Sequence, residues 1–171
     1  MLGTSVLLLA LAATGLAQGT APEGYRKVYI SSSVNPKFVI VPKARTSGST
    51  VVVKTLNNKP EQQWYVTDGT TKIQLVDSTL CLDGGPQSNW KDMGNIYVNE
   101  CANGTDSQNW VLLGDGRIAL EPTNKKECID LQYMRATENN PVGLYGCAGL
   151  GNAGAGDKGI NWPFINVTDS A

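Results

Sequence analysis

From residue 25 onward, short runs of β-branched and aromatic residues alternate with clusters of turn formers. Lys27 to Ile30, Lys37 to Val41 and Thr50 to Leu56 are such runs, separated by Ser31 to Pro36 and by Pro42 to Ser49. The same rhythm continues through Lys72 to Val76, Thr79 to Leu82, Ile96 to Asn99 and Trp110 to Leu113. After the turn Gly114-Asp115-Gly116, which has hairpin chemistry, it resumes as Arg117 to Leu120, Glu127 to Leu131, Val142 to Tyr145 and Trp162 to Ile165. No segment beyond the N-terminal stretch holds a 3.6-residue apolar period over three turns, so the pattern predicts an all-β fold.

The runs also repeat as a set. Cys81-Leu82-Asp83, Ile96 to Val98, Cys101 and Gln108-Asn109-Trp110 recur as Cys128-Ile129-Asp130, Val142 to Tyr145, Cys147 and Asn161-Trp162. An upstream copy keeps Gln62-Gln63-Trp64 behind Phe38 to Val41 and Val51 to Val53, without cysteines and without an Asp after its first run. Trp64, Trp110 and Trp162 are spaced 46 and 52 residues apart. Units of this length, with about four short strands each, cannot bury a core alone; stacked around a pseudo-threefold axis they share one. A propeller needs more repeats, and a sandwich does not call for threefold repetition. The expected architecture is a β-trefoil over residues 25–171, with repeats at about 25–67, 68–113 and 114–166. Each repeat's Trp is expected in the core, with the Gln two residues earlier tying nearby backbone.

Composition narrows the chemistry. The chain has no His, which removes His-based triads, His general bases and most zinc sites. A formal charge of −1 offers no basic field for nucleic acid or anionic lipid. Val6 to Ala13 is an apolar run followed by Gly15-Leu16-Ala17, too short to span a bilayer of ~30 Å. Residues 1–17 are therefore read as a cleavable secretory signal and 18–24 as a loose leader, giving a secreted, extracellular protein without membrane insertion. Sequons at Asn103 and Asn166 fit that address. Four cysteines allow three connectivities. Cys81 with Cys101 and Cys128 with Cys147, separated by 20 and 19 residues, is the pairing that treats both copies alike. Free thiols or a metal site are disfavoured by the expected oxidising compartment and by the absence of CxxC spacing.

With these landmarks the chain resembles the ricin-B-type lectin domain, a carbohydrate-binding β-trefoil whose three units end in a QxW motif. The resemblance runs from about Lys27 to Ile165 and is carried by Gln62-Gln63-Trp64, Gln108-Asn109-Trp110, the degenerate Ile160-Asn161-Trp162 and the two Cys-x-Asp and Cys pairs. It implies a sugar pocket per unit, built from the Asp of Cys-x-Asp, an aromatic two residues before the second Cys, and an Asn-Gln pair opening QxW. A carboxylate accepts bonds from two hydroxyls, an aromatic face covers the C–H face of a sugar, and amides fix its orientation.

Carried onto this chain, the resemblance offers Asp130, Tyr145 and Asn161 in the third unit, with Gly159 and Ile160 at the Asn-Gln positions. In the middle unit it offers Asp83, Asn99 and Gln108, with Ser107 before the Gln and with Trp90 or Tyr97 as substitute aromatics. In the first unit the Asp and aromatic positions fall approximately at Ile40 and Val53, a scaffold without a sugar site. Each candidate also has a structural reading: Asp83 and Asp130 as turn formers, Tyr145 as packing against a disulfide, and Gln108 as a backbone tie, since the same type recurs at Gln62 in the unit without an Asp. The Gly- and Ala-rich loop Ala148 to Gly159, six residues longer than its counterpart, either reshapes the third pocket through Asn152 or Asp157 or is a surface insertion.

The expected function is a non-enzymatic lectin for galactose-type glycans or glycoproteins, acting through the third repeat and weakly through the second, with no cofactor. A site of ~1 mM corresponds to only ~4 kcal/mol, so useful avidity needs both sites or an oligomer. The alternative is a protease inhibitor or other protein-binding trefoil acting through loops such as Asp83 to Asn95. An enzyme is the least expected class, because nothing in the sequence places two of Asp77, Asp83, Asp92 and Asp130 across a cleft at the ~5 to 10 Å that glycosidase chemistry requires.

Overall fold

The computed structural model describes residues 21–168; the segment read as a secretory signal and the first residues of the leader lie outside the described residues. The first unit comprises strands β1 (Arg26–Ile30), β2 (Phe38–Pro42), β3 (Ser49–Thr55) and β4 (Trp64–Val66). The second comprises β5 (Thr70–Thr71), β6 (Gln74–Leu75), β7 (Leu80–Asp83), β8 (Tyr97–Glu100) and β9 (Trp110–Leu112). The third comprises β10 (Ile118–Leu120), β11 (Glu127–Leu131), β12 (Val142–Gly146) and β13 (Phe164–Asn166). Helical structure among the described residues is confined to three-residue 3-10 turns.

The pairing shows why three units make one domain. The strand that closes each unit pairs with a strand that opens the next: β4 with β6, β9 with β10, and β13 with β1. That closes the ring and leaves few bare sheet edges. Each unit also contributes an antiparallel hairpin, β2–β3, β7–β8 and β11–β12. The hairpins meet through Ser49 opposite Val98, Val52 opposite Pro141 and Asn95 opposite Gly143. A closed ring with a hairpin triplet across it is the expected β-trefoil.

The core sits on the pseudo-threefold axis. Trp64, Trp110 and Trp162 are all fully buried in one apolar cluster with Ile40, Leu82 and Ile129. Each indole N–H donates to a backbone carbonyl, Trp64 to Ile40 at 3.0 Å, Trp110 to Leu82 at 3.1 Å and Trp162 to Ile129 at 2.9 Å. The large apolar rings are thereby buried without an unsatisfied donor. The Gln of QxW acts as a clamp in both units that have it. Gln62 accepts from Asn57 N–H at 2.8 Å and donates to Thr55 O at 2.9 Å; Gln108 accepts from Ala102 N–H at 2.9 Å and donates to Glu100 O at 2.8 Å. Disulfides join Cys81 to Cys101 and Cys128 to Cys147, one within each of the last two units. Closing loops of this size stabilises by ~3 kcal/mol each in the chain-entropy picture.

These bonds correct the alignment of the first unit. Since Ile40, Leu82 and Ile129 accept equivalent indole bonds, the counterpart of Asp83 and Asp130 is Val41, one residue beyond the expected Ile40. Val39 faces Lys54 as Cys81 faces Asn99 and Cys128 faces Tyr145, so the aromatic position is held by Lys54 and not Val53. A strand has a period of two, and a one-residue slip exchanges core for surface. Ile40 and Val53 are both fully buried, as core positions must be.

Candidate carbohydrate pocket

In the middle unit the expected group is assembled but closed on itself. Asp83 ends β7, and its Oδ1 accepts from Gly85 N–H at 2.8 Å, a turn in which Gly85 takes a left-handed φ of +71°. Oδ2 accepts from the Gln108 amide at 3.1 Å, so Gln108 serves both as the backbone clamp and as this carboxylate's partner. Asn99 is engaged as well, its Oδ1 accepting from Gly48 N–H at 3.0 Å and Ser47 Oγ at 3.3 Å. Burial pushes the Asp83 carboxyl up, but Gly85 N–H and the side chains of Ser107, Asn99 and Gln108 outweigh it and hold it below the usual carboxylate value. Of the substitute aromatics, Trp90 is packed against the core and donates to Gly85 O at 3.0 Å. Tyr97 lies opposite Asp83 in register, with its ring over Gly85, where an added Cβ would come within 3.0 Å of it.

In the third unit the same aspartate has no such partners. Asp130, in β11, is 8% exposed, and its carboxylate accepts no hydrogen bond from the other described residues. The reason lies at the two positions that open the motif. Ile160 replaces the clamping Gln and is fully buried with Cys128, Cys147 and Ala119. Gly159 replaces the Asn, and a Cβ there would lie 3.0 Å from Met134 Cγ, 3.1 Å from Asp130 Oδ1 and 3.2 Å from Asp157 Oδ1, so the Met134 side chain and two carboxylates converge on its α-carbon. Burial first, then the charges of Asp157 and Asp92, raise the Asp130 carboxyl to about 7. Glu127, on the same strand, is also raised, by burial and then by Asp92.

Asp130 and Tyr145 line one open cavity of about 350 Å³, whose wall is completed by Met93, Tyr133, Met134, Leu150 and Asp157. Asn161 is not part of it: its amide donates to the carbonyls of Asp115 at 3.1 Å and Ala155 at 3.0 Å. The long loop shapes the pocket through Asp157, which accepts from Leu150 N–H at 3.1 Å and Gly159 N–H at 2.8 Å while facing the cavity. The side chain of Asn152 lies outside the described residues.

Sequence reasoning missed half of this wall. Met93 and Asp92 belong to the second unit's loop, which docks on β12 through Met93 N–H to Leu144 O at 2.8 Å and Gly146 N–H to Asp92 Oδ1 at 2.8 Å. A wall borrowed from a neighbouring repeat leaves no periodic trace. Tyr133 and Met134 follow β11 in left-handed conformations, with φ of +56° and +51°, unusual for such residues. Two large apolar side chains in succession on a turn, Tyr133 71% and Met134 45% exposed, were the available signal.

Comparison with known proteins agrees with this architecture. Residues 27–110 match the ricin-type beta-trefoil lectin domain model. Beta-galactoside-specific lectin 3 of Viscum album is 26% identical over 138 residues, which are 78% of this chain and 21% of that protein. Beta-galactoside-specific lectin 2 of the same plant is 24% identical over 124 residues, 71% of this chain and 19% of that protein. The chain thus spans about a fifth of the length of these curated relatives. Among solved structures, the designed threefold-symmetric ThreeFoil superposes with a TM-score of 0.67 at 19% identity, covering 85% of this chain and 100% of that one. The C-half of the earthworm R-type lectin, in complex with GalNAc, gives 0.62 at 16% identity, covering 83% and 99%. The QxW core, the paired cysteines and these matches agree on a ricin-type β-trefoil lectin domain, which the family model matches over residues 27–110.

Proposed function

We propose that this chain is a non-catalytic, extracellular carbohydrate-binding protein that takes galactose-type sugars in the third-repeat pocket. The observation that carries the reading is Asp130: a buried carboxylate without a hydrogen-bond partner among the described residues, facing a cavity beside Tyr145. A carboxylate opening onto a cavity gains from a ligand that brings its own hydroxyl donors, because hydrogen bonds to charged groups contribute ~1.5–3 kcal/mol. Asp83 has its acceptors occupied, so the second repeat contributes little. The Viscum album relatives, beta-galactoside-specific by name, support the galactose class. Two disulfides and exposed sequon asparagines at 103 and 166 support the secreted address of a glycoprotein.

The test is a glycan array with the wild type, Asp130→Ala and Asp83→Ala, each checked for folding by circular dichroism. Binding lost in the first variant and kept in the second is the expected outcome. Loss only in Asp83→Ala would move the site to the middle repeat, and a wild type that binds nothing would favour loop-mediated protein binding instead.

A further inference from the structure

The third pocket is anionic and unusually apolar at once. Asp130 and Asp157 converge over Gly159, and Asp92 reaches the same region from the second unit's loop. No cation enters the balance: the charged neighbours that act on Asp130 are both acids. Of the nearby arginines, Arg117 is engaged with Asp115 at 2.7 Å, and Arg135 lies over the ring of the wall residue Tyr133 at 5.5 Å. Around this negative floor stand Met93, Tyr133, Met134 and Leu150, each at least 45% exposed. Among the described residues, only Ile165 of the exposed large apolar side chains lies elsewhere.

A neutral sugar meets only part of this. Its hydroxyls bond Asp130 but bring no positive charge to offset the acids around it. A ligand ammonium supplies N–H donors for Asp130 and a positive charge for Asp157 and Asp92 together, and charge-assisted bonds are the stronger kind. The apolar wall argues against a bare metal ion or a small ammonium, because it offers surface for a ring's C–H face and nothing for a hydrated ion. No group of acids with metal-holding geometry occurs among the described residues.

Resting on the reading of this pocket as a sugar site, we infer that its preferred ligand is a sugar carrying a free amino group, an amino-deoxyhexose, bound in preference to its hydroxy and N-acetyl counterparts. The ammonium lies between Asp130 and Asp157 where both line the cavity, beside Gly159, which supplies no side-chain amide there. The sugar's C–H face lies on Tyr145 and Met93.

The experiment is titration calorimetry or ligand-observed NMR with methyl D-galactosaminide, methyl D-galactoside and the N-acetyl-galactosaminide at pH 7. An amine resembling an α-amino group, pKa ~7.7–8.0, is largely ammonium there. The free amine is expected to bind about tenfold more tightly than either neutral sugar, with the ratio shrinking at high salt. Asp92→Asn preserves an acceptor for Gly146 N–H and removes the charge; it is expected to reduce the amine's advantage several-fold, and Asp157→Asn further.

Equal binding of the three sugars would overturn the amino-sugar inference and leave the sugar pocket standing. Binding of none of them, by a protein folded by circular dichroism, would overturn both. An advantage unchanged in both Asn variants would overturn the assignment to these acids.

Discussion

The second and third repeats begin from the same strand, the same disulfide and the same aspartate, yet they bring that aspartate to opposite states. Asp83 has a backbone N–H and a clamping amide on its two oxygens and is held below its ordinary pKa. Asp130 has neither and is raised to about 7. The difference traces to two residues opening the motif, Ser107-Gln108 against Gly159-Ile160. One carboxylate is thus tied into a turn and its counterpart left facing a cavity.

The comparison breaks most sharply at the clamp. Gln108→Ile gives the second repeat the third repeat's residue and strips the partners from Ala102 N–H, Glu100 O and Asp83. A loss of about 3–5 kcal/mol in denaturant unfolding is expected. A loss below 1 kcal/mol would show that the clamp does not hold the second repeat.

Next comes the sign of the two carboxylates' contributions to stability. Asp130 is raised in the fold, so between pH 4 and pH 7 the native state binds more protons than the unfolded chain and stability falls as pH rises. Asp130→Asn is therefore expected to stabilise the protein at pH 8, on the order of 2–4 kcal/mol, and to do little at pH 4. Asp83 is depressed, so its contribution is present above its unfolded value of ~3.9 and disappears as pH falls through its lower folded value. Asp83→Asn should cost about 1–2 kcal/mol at pH 7. Thermal unfolding of both variants across pH 3 to 8 checks the opposition; parallel curves would refute it.

The smallest effect sharpens the cause. Ile160→Gln reinstates an amide beside Asp130, and the carboxyl's NMR titration midpoint should move down from about 7. An unmoved midpoint would assign the raised value to burial, with Asp157 and Asp92, rather than to the missing amide.

Much of this was legible before the structure. Period-two apolar runs, three Trp landmarks and two cysteine pairs are local or repeating signals, and they gave the strands, the threefold ring and the bridges. Asp130 and Tyr145 were legible because motif spacing places them on facing strands, where Cys128 pairs with Tyr145. The first repeat's register was misjudged by one residue, because Phe38 to Val41 is apolar throughout and offers no alternation to fix its phase. Trp90 looked free as an aromatic in a polar loop, yet it is folded against the core by its bond to Gly85 O.

By itself, then, the sequence determined the architecture, because burying three tryptophans on one axis leaves few alternatives to a threefold ring. Tertiary structure alone decided the surroundings of each aspartate. The state of a buried carboxylate depends on neighbours distant in the chain, Gln108 as a donor to Asp83, Asp157 and Asp92 as like charges near Asp130, and repetition in sequence carries no record of that.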